Sequence, residues 1–214
     1  MKKINELTEQ YGKKGDEIRR RLFEFKQILN DSDERIFAEL AFCICTPQSK
    51  AVTAWNAITA LMKNGLLYRD SIEQIASFLN PVRFGKNKAK YIVEARKKFT
   101  VDNKLQIKEF IHSFIDPIEL REWLVENIKG IGMKEASHFI RNIGLSDNQL
   151  AILDIHILKN LEECGVIEEI PKSLSKKDYL KIENKMREFS KQIIIPMDEL
   201  DMLFWSKETG FVFK

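Results

Sequence analysis

The sequence predicts an all-α protein, and three observations support this fold class. Apolar residues recur at helical spacing in nearly every segment of the 214-residue chain, whereas no segment shows the sustained alternation of a half-buried strand. Residues typical of helix starts and stops separate the periodic segments. With 44% hydrophobic and 31% charged residues, the composition is that of a globular rather than a disordered chain.

Six helices are predicted in the first half of the chain. Ser71 and Gln74 form a capping box at the start of the fourth helix, and Gly65 ends the third. Val52 and Ile58 of the third helix are expected to face the core, because they lie on its apolar side. The six helices span about residues 16–29, 32–45, 49–64, 71–80, 86–99 and 107–114.

Helix starts are also clear in the second half. Asp116 can be an N-cap, and Pro117 suits the first helical position, because its missing N–H would be unpaired there in any residue. Asp154 and Ser175 are expected to cap two later helices. Pro196 opens the last helix, which ends near residue 210.

The stretch Leu124–Arg141, LVENIKGIGMKEASHFIR, is predicted to form two helices joined by a hairpin turn. Gly130 and Gly132 allow backbone angles closed to other residues and let another chain approach closely. The second helix starts at this turn, so its first N–H groups lack helical partners and can bind a phosphate. Lys129 adds positive charge. The pattern favours a phosphate-binding hairpin, and a plain turn between helices is the structural alternative.

Lys134 and Asp154 are the candidates for chemistry. Lys134 lies in the first turn of the second hairpin helix, where the positive end of the helix dipole disfavours an ammonium. A lysine in this position can act as a neutral amine nucleophile, although one that only binds phosphate fits the pattern too. Asp154 can cap its helix or, if the fold brings it to Lys134, assist the amine. Spacing alone does not decide between these roles.

Basic residues are unevenly distributed, although the net charge is only +3. Residues 83–108 contain nine Lys or Arg and two acidic residues, which leaves an excess of +7. A basic face on a near-neutral protein suits a polyanion such as nucleic acid. A solvated, lysine-rich helix face is the alternative.

Cysteine and histidine usage argues against a bound metal. The three cysteines, Cys43, Cys45 and Cys164, form no C-x-x-C pair and are too few for a four-cysteine iron–sulfur cluster. The three histidines lack metal-ligand spacing. The cysteines suggest a reducing compartment, and no apolar run approaches a membrane span. We therefore expect no metal, no cofactor, no membrane association and a cytoplasmic location.

Two neighbouring runs resemble a known family. IKGIGMKEASHFIRNIG, which contains Lys134, and LAILDIHIL, which contains Asp154, resemble the helix–hairpin–helix and catalytic-aspartate signature of base-excision DNA glycosylases. More narrowly, they resemble type 2 8-oxoguanine DNA glycosylase/AP lyases. The resemblance implies two helical lobes with the active site in the cleft between them. Residues 32–144 would form the lobe with the hairpin, and residues 1–31 and 145–214 the other lobe.

The same resemblance implies a bifunctional enzyme that acts as a monomer on double-stranded DNA containing 8-oxoguanine. The damaged base would be flipped into the cleft. Lys134 would displace the base and form a Schiff base that permits strand cleavage by β-elimination. Asp154 would assist the amine and stabilise positive charge in the sugar, while Gly130 and Gly132 would hold a phosphate.

Further contacts follow from the resemblance. His156 would hold another phosphate, Gln48 would enter the gap left by the flipped base, and the Arg83–Phe84 pair would approach the orphaned opposite base. Trp205 and Lys214 would line the lesion pocket. Each residue type also has a structural explanation: a turn glutamine without DNA contact, core packing for the aromatic residues, and a frayed end for the lysine.

Two other functions stay open from the sequence. A non-catalytic helix–hairpin–helix DNA-binding module would use the same turn but needs neither Lys134 nor Asp154, so the presence of both argues against it. A glycosylase for another lesion, such as a different oxidised base or an alkylated purine, would share the fold. A nucleophilic lysine fits an oxidised base better than an alkylated one.

Overall fold

The computed structural model describes residues 2–214 and confirms the all-α prediction. Each helix in this range is too short or too polar to cross a lipid bilayer. A 3-10 turn lies at Leu66–Tyr68, and two short strands, β1 (Thr100–Val101) and β2 (Lys104–Leu105), pair antiparallel. The helices of residues 2–214 are α1 (Lys2–Ile28), α2 (Asp33–Cys45), α3 (Ala51–Lys63), α4 (Ile72–Phe78), α5 (Gly85–Lys98), α6 (Ile107–His112), α7 (Pro117–Asn127), α8 (Met133–Asn142), α9 (Ile155–Glu163), α10 (Lys176–Ile193) and α11 (Met197–Thr209).

Five helices begin at a capping side chain near a predicted helix start. The side chains of Ser32, Ser71, Asp116, Asp154 and Ser175 each accept a hydrogen bond from a backbone N–H in the following first turn. These bonds satisfy donors that a helix N-terminus leaves without helical partners. The sequence located these starts because a cap depends only on its neighbouring residues.

The first helix is longer than predicted, since α1 begins at Lys2 rather than near residue 16. Gly12 and Gly15 lower the helix propensity of this segment. Tertiary contacts stabilise the helix nevertheless, because α1 packs along α11 and Tyr11 Oη donates a 2.7 Å hydrogen bond to Glu199 of α11. Packing against a distant helix therefore overrides the local signal.

Two smaller features also differ from the predictions. Ile58 is buried as expected, but Val52 is 41% exposed in the first turn of α3. The β1–β2 hairpin was not predicted, because two-residue strands are too short to show alternation. Asp102 and Asn103 close this hairpin with φ angles of 49° and 59°, values that Asn and Asp tolerate better than most residues.

Helix α2 forms the centre of the fold. Its residues from Ile36 to Cys45 are all buried, and it packs against α3, α5, α6 and α8. Helix α1 packs against α8 and α11, and α11 also packs against α9 and α10. Because α8 contacts both groups, the hairpin lies where they meet. The division into residues 32–144 and residues 1–31 with 145–214 stays a prediction, and residue 1 lies outside the described residues.

A buried ion pair fastens the hairpin to the C-terminal helices. Arg121 of α7 donates two hydrogen bonds, of 2.6 and 2.9 Å, to Glu183 of α10. Glu183 also accepts the backbone N–H of Ala151 over 2.7 Å, and Tyr179 Oη donates to the Ala151 carbonyl. These contacts anchor the segment before α9 and thereby position Asp154.

Candidate functional site

The turn between α7 and α8 has a conformation that requires glycine. Gly130 adopts a φ of 84°, and a Cβ at this position would lie 2.7 Å from the Tyr91 ring. Lys129 is exposed beside the turn, with its Nζ 3.1 Å from a carboxylate oxygen of Glu94. The positive charge next to the turn is therefore partly neutralised by α5.

Glu135 occupies the start of α8 and was not among the predicted site residues. Its Oε2 accepts the N–H of Gly132 over 3.2 Å, and its Oε1 lies 3.0 Å from Lys134 Nζ. A carboxylate here competes with a phosphate for the same backbone donor. Lys134 Nζ therefore has a carboxylate partner in the same first turn of α8, a contact that the sequence did not predict.

Lys134 and Asp154 line the same cleft, which has a volume of about 630 Å³. The Lys134 side chain is 28% exposed, so solvent reaches the amine. Asp154 caps α9, with Oδ1 accepting the N–H of Ile157 over 2.9 Å. His156 also lines the cleft, and its Nδ1 lies 4.0 Å from Glu208. The fold thus brings together the lysine and the aspartate, which sequence spacing could not establish.

Three buried ionisable residues of the cleft were not predicted from the sequence. They are His138 and Arg141 on α8 and Asp201 on α11. Arg141 Nη1 lies 3.3 Å from Asp201 Oδ2, but His138 Nε2, Arg141 Nε and Asp201 Oδ1 have no hydrogen-bond partner among residues 2–214. Helical spacing was the available signal, since His138 and Arg141 follow Lys134 by one and two turns and Asp201 precedes Trp205 by one.

Burial shifts the pKa values of Asp201 and His138. Desolvation raises the pKa of Asp201 to about 7, although Arg141 acts to lower it. Desolvation, together with the charges of Arg141 and Lys134, holds the pKa of His138 well below its usual value. Asp201 therefore changes its charge near neutral pH, while His138 stays neutral.

Trp205 forms an aromatic wall of the cleft. It is partly exposed and packs edge-on against Phe211, with 5.5 Å between ring centroids. Phe213 stacks on its ring at 6.1 Å. These contacts fix the indole plane, and a fixed aromatic face is suited to stacking against a planar base.

Lys214 lines the cleft but is buried rather than frayed. Its Nζ lies 2.5 Å from Glu39 Oε1 and 3.6 Å from the centroid of the Trp55 ring. Glu39 also accepts hydrogen bonds from Arg35 over 2.7 Å and Asn142 over 3.1 Å. Glu39 supplies the counter-charge that a buried cation requires. The predicted role of Lys214 in the lesion pocket stays a prediction.

The predicted DNA-gap residues lie on two loops with unusual backbone angles. Gln48 and Phe84 are exposed and have φ angles of 54° and 59°, which are uncommon for residues other than glycine. The Arg83 guanidinium lies 5.0 Å from the Phe84 ring centroid, and the Arg83 N–H donates to Ser49 Oγ over 3.0 Å. Because Phe84 is 54% exposed, core packing does not explain it.

The basic segment 83–108 is less uniform than its composition suggested. Lys88 is buried and donates to the Cys45 carbonyl over 2.8 Å, and Arg96 donates to the Asp70 carbonyl over 2.7 Å. These two cations therefore bond to carbonyl groups of the protein and do not contribute to the basic surface. The remaining exposed basic side chains of α5 still form a basic face.

Residues that could hold a metal do not cluster. Within residues 2–214, we find no group of three or more His, Cys, Asp or Glu side chains arranged for a metal ion. Cys43 and Cys45 are buried free thiols, and burial raises the pKa of Cys45 to about 12. The expectation of no cofactor stays a prediction.

Comparisons with known proteins place these features in context. A family model described as 8-oxoguanine DNA glycosylase matches residues 18–195. An 8-oxoguanine DNA glycosylase/AP lyase of Fusobacterium nucleatum is 49% identical over 212 residues, covering 99% of this chain and 97% of the relative. The protein of the same name from Methanocaldococcus jannaschii is 42% identical over 218 residues, covering 100% and 99%.

Solved structures agree with the sequence matches. The Methanocaldococcus jannaschii 8-oxoguanine glycosylase/lyase, in complex with a 15mer DNA containing 8-oxoguanine, superposes with a TM-score of 0.90 and 38% identity over 100% of both chains. The 8-oxoguanine DNA glycosylase of Thermotoga maritima gives a TM-score of 0.86 and 34% identity, covering 99% of this chain and 98% of that one.

Proposed function

Because the chain belongs to the 8-oxoguanine DNA glycosylase family, we propose that it removes 8-oxoguanine from DNA and then cleaves the strand at the abasic site. The catalytic part of this proposal is supported by the presence of Lys134 and Asp154 in one cleft. A DNA-binding module without chemistry has no need for an accessible amine and a carboxylate in the same cavity.

Lys134 is the nucleophile of this proposal. Its Nζ attacks C1′ of the damaged nucleotide, the bond from C1′ to N9 breaks, and the base leaves with the bonding electrons and takes up a proton. The attached nitrogen then loses one proton, and its lone pair breaks the C1′–O4′ bond. O4′ takes up a proton, and the opened sugar is held as a protonated Schiff base. Abstraction of a C2′ proton then expels the 3′ phosphate by β-elimination. Attack requires the free amine, so the Lys134–Glu135 ion pair opens when the sugar enters.

Asp154 acts through its charge. The anomeric carbon gains positive character as the base departs, and a nearby carboxylate stabilises that charge. Its orientation is held by the bond from the Ile157 N–H and by the anchoring of the preceding segment at Ala151. Preorganisation of this kind avoids a reorganisation cost during the reaction.

The cleft supplies contacts for the flipped base. Trp205 stacks against the purine, and the unpaired Asp201 Oδ1 accepts N–H groups at the base edge. Lys214 forms part of the pocket wall, held in place by Glu39. Such unsatisfied buried atoms are costly without a ligand and gain partners when the base is bound.

DNA contacts lie around the cleft. Gly130 and Gly132 bring the hairpin backbone close to a phosphate, with Lys129 beside it, and His156 holds a second phosphate. Gln48 and the Arg83–Phe84 pair fill and border the gap in the duplex. The protein acts as a monomer in the cytoplasm and needs no metal or cofactor.

Covalent trapping tests this proposal. Borohydride reduces a Schiff base, so it should link the protein to a duplex containing 8-oxoguanine. Lys134→Gln should abolish the adduct, whereas Lys13→Gln, on an exposed lysine of α1 paired with Glu9, should keep it. Duplexes with an oxidised pyrimidine or an alkylated purine define the lesion class. An adduct that survives Lys134→Gln would move the nucleophile elsewhere.

A further inference from the structure

A buried lysine holds the turn that carries Gln48. Lys88 of α5 is 4% exposed, and its Nζ donates to the carbonyls of Cys45 over 2.8 Å and Pro47 over 2.6 Å. A longer contact, of 3.3 Å, reaches Ser49 Oγ. The ammonium therefore contacts the residues on both sides of Gln48 in the chain.

The surroundings of this ammonium are neutral acceptors. No carboxylate of residues 2–214 lies within ion-pair distance of Lys88, although the end of α2 directs the negative pole of its helix dipole toward it. Burying a charge without a counter-charge is unfavourable. An apolar side chain would cost less for stability alone, so the ammonium needs another explanation.

The backbone next to Lys88 offers that explanation. Gln48 has a φ of 54°, a conformation that costs energy in a residue other than glycine and persists only where its surroundings enforce it. The Pro47 carbonyl and the Ser49 hydroxyl, which flank Gln48, are both bonded to Lys88. Releasing them would let the turn relax to an ordinary conformation.

Ser49 connects this turn to the second loop. Its Oγ accepts the backbone N–H of Arg83 over 3.0 Å as well as the contact from Lys88. The following residue, Phe84, is exposed and also left-handed, with a φ of 59°. One buried ammonium and one hydroxyl thus link both strained loops.

We propose that Lys88 is a positioning residue that holds Gln48 and the Arg83–Phe84 pair in the geometry needed to occupy the gap left by a flipped base. This inference rests on the proposed function, because it assigns Lys88 a role in duplex DNA only. A preformed wedge avoids the ordering cost that a mobile loop would pay on insertion. Removing Lys88 should impair base displacement without impairing Schiff-base chemistry.

Two variants probe the contact. Lys88→Met removes the ammonium and keeps the chain length, and Ser49→Ala removes the shared hydroxyl and keeps the charge. Each should lower the rate of 8-oxoguanine excision from a fully paired duplex, by about tenfold for Lys88→Met, as expected for a lost hydrogen bond to a charged group. Lys134-dependent cleavage of a single-stranded oligonucleotide with an abasic site should stay unchanged. Lys13→Met is the matched control for loss of a lysine.

A double-mutant cycle shows whether Lys88 acts through Gln48. If it does, the double variant with Gln48→Ala and Lys88→Met should be no slower than the slower single variant, because both remove the same wedge. The fluorescence of 2-aminopurine, placed opposite an uncleavable abasic analogue, rises when that base is unstacked. The rise on protein binding should be reduced to the same extent in Gln48→Ala and in Lys88→Met.

Several outcomes would overturn the inference: additive rate losses in the cycle, equal losses on paired and single-stranded substrates, or no effect of Lys88→Met. If Lys88→Met fails to fold, Ser49→Ala alone decides, since it leaves the ammonium and its two carbonyl bonds in place. Failure of the wild-type protein to excise 8-oxoguanine would refute the proposed function instead. The 2-aminopurine signal would then still test the wedge, because it needs no chemistry.

Discussion

Glu39→Gln is the perturbation with the clearest expected magnitude. It removes the buried negative charge that faces Lys214 and leaves the shape of the side chain almost unchanged. Lys214 can escape the lost partner only by giving up its proton. The pKa of Lys214 is lowered by burial to about 8, so at neutral pH the folded protein holds the ammonium with help from Glu39.

The loss in free energy of unfolding caused by Glu39→Gln therefore depends on pH. One pKa unit corresponds to about 1.4 kcal/mol, so the loss of stability through Lys214 is limited to roughly 1 kcal/mol at pH 7 and roughly 3 kcal/mol at pH 6. Above pH 8 the wild-type Lys214 is itself neutral, and the loss through this residue vanishes. Destabilisation by Glu39→Gln should therefore grow as the pH falls below 8.

Urea unfolding at pH 6, 7 and 9 measures this dependence. Lys214→Met should remove the pH-dependent part of the Glu39→Gln effect, because no titrating amine remains. Glu9→Gln, at an exposed glutamate, is the control for loss of a carboxylate. A destabilisation independent of pH, or one unchanged in the Lys214→Met background, would refute the reasoning.

Three further predictions follow from the structure. Arg121→Met should destabilise the protein by about 3–5 kcal/mol, measured by urea unfolding, because it removes the close ion-pair partner of the buried Glu183 and leaves only the Ala151 N–H and Arg187, 3.8 Å away. The double charge reversal Lys86→Glu and Lys90→Glu should weaken binding to damaged and undamaged duplexes alike and reduce the dependence of affinity on salt. The rate of 8-oxoguanine excision should rise with pH through about 7 as Asp201 loses its proton, and Asp201→Asn should remove that step.

Each of these three predictions can be contradicted by a specific outcome. Stability retained in Arg121→Met would mean that the ion pair is energetically neutral. Binding indifferent to salt would remove the basic face of α5 from the DNA footprint. If the rate still falls at acidic pH in Asp201→Asn, a group other than Asp201 controls it.

The sequence was most informative where the physical cause is local. Caps at Ser71, Asp116 and Asp154 were predicted because a side-chain oxygen satisfies N–H groups only two or three residues away. The full extent of α1 was not predicted, because its first half is stabilised by α11, almost two hundred residues away in the chain. A local pattern carries no signal for such a contact.

The same distinction applies to the site residues, some of which the sequence predicted and some of which it did not. The hairpin glycines, Lys134 and Asp154 were identified from motif and spacing, because helix ends and turns impose their own residue types. Glu135 was overlooked although it is adjacent in the chain, since its capping bond depends on the turn geometry.

What the sequence by itself determined is the set of helices, the hairpin and the two residues assigned to chemistry. Only the tertiary structure decided that Lys134 and Asp154 share a cleft, that Arg141 and Asp201 face each other within it, and that the Lys214 ammonium is buried against Glu39. It also showed that Lys88 belongs to the interior. The reason is physical: burial and counter-charge depend on residues far apart in the chain, and they decide whether a charged side chain serves the fold or the DNA.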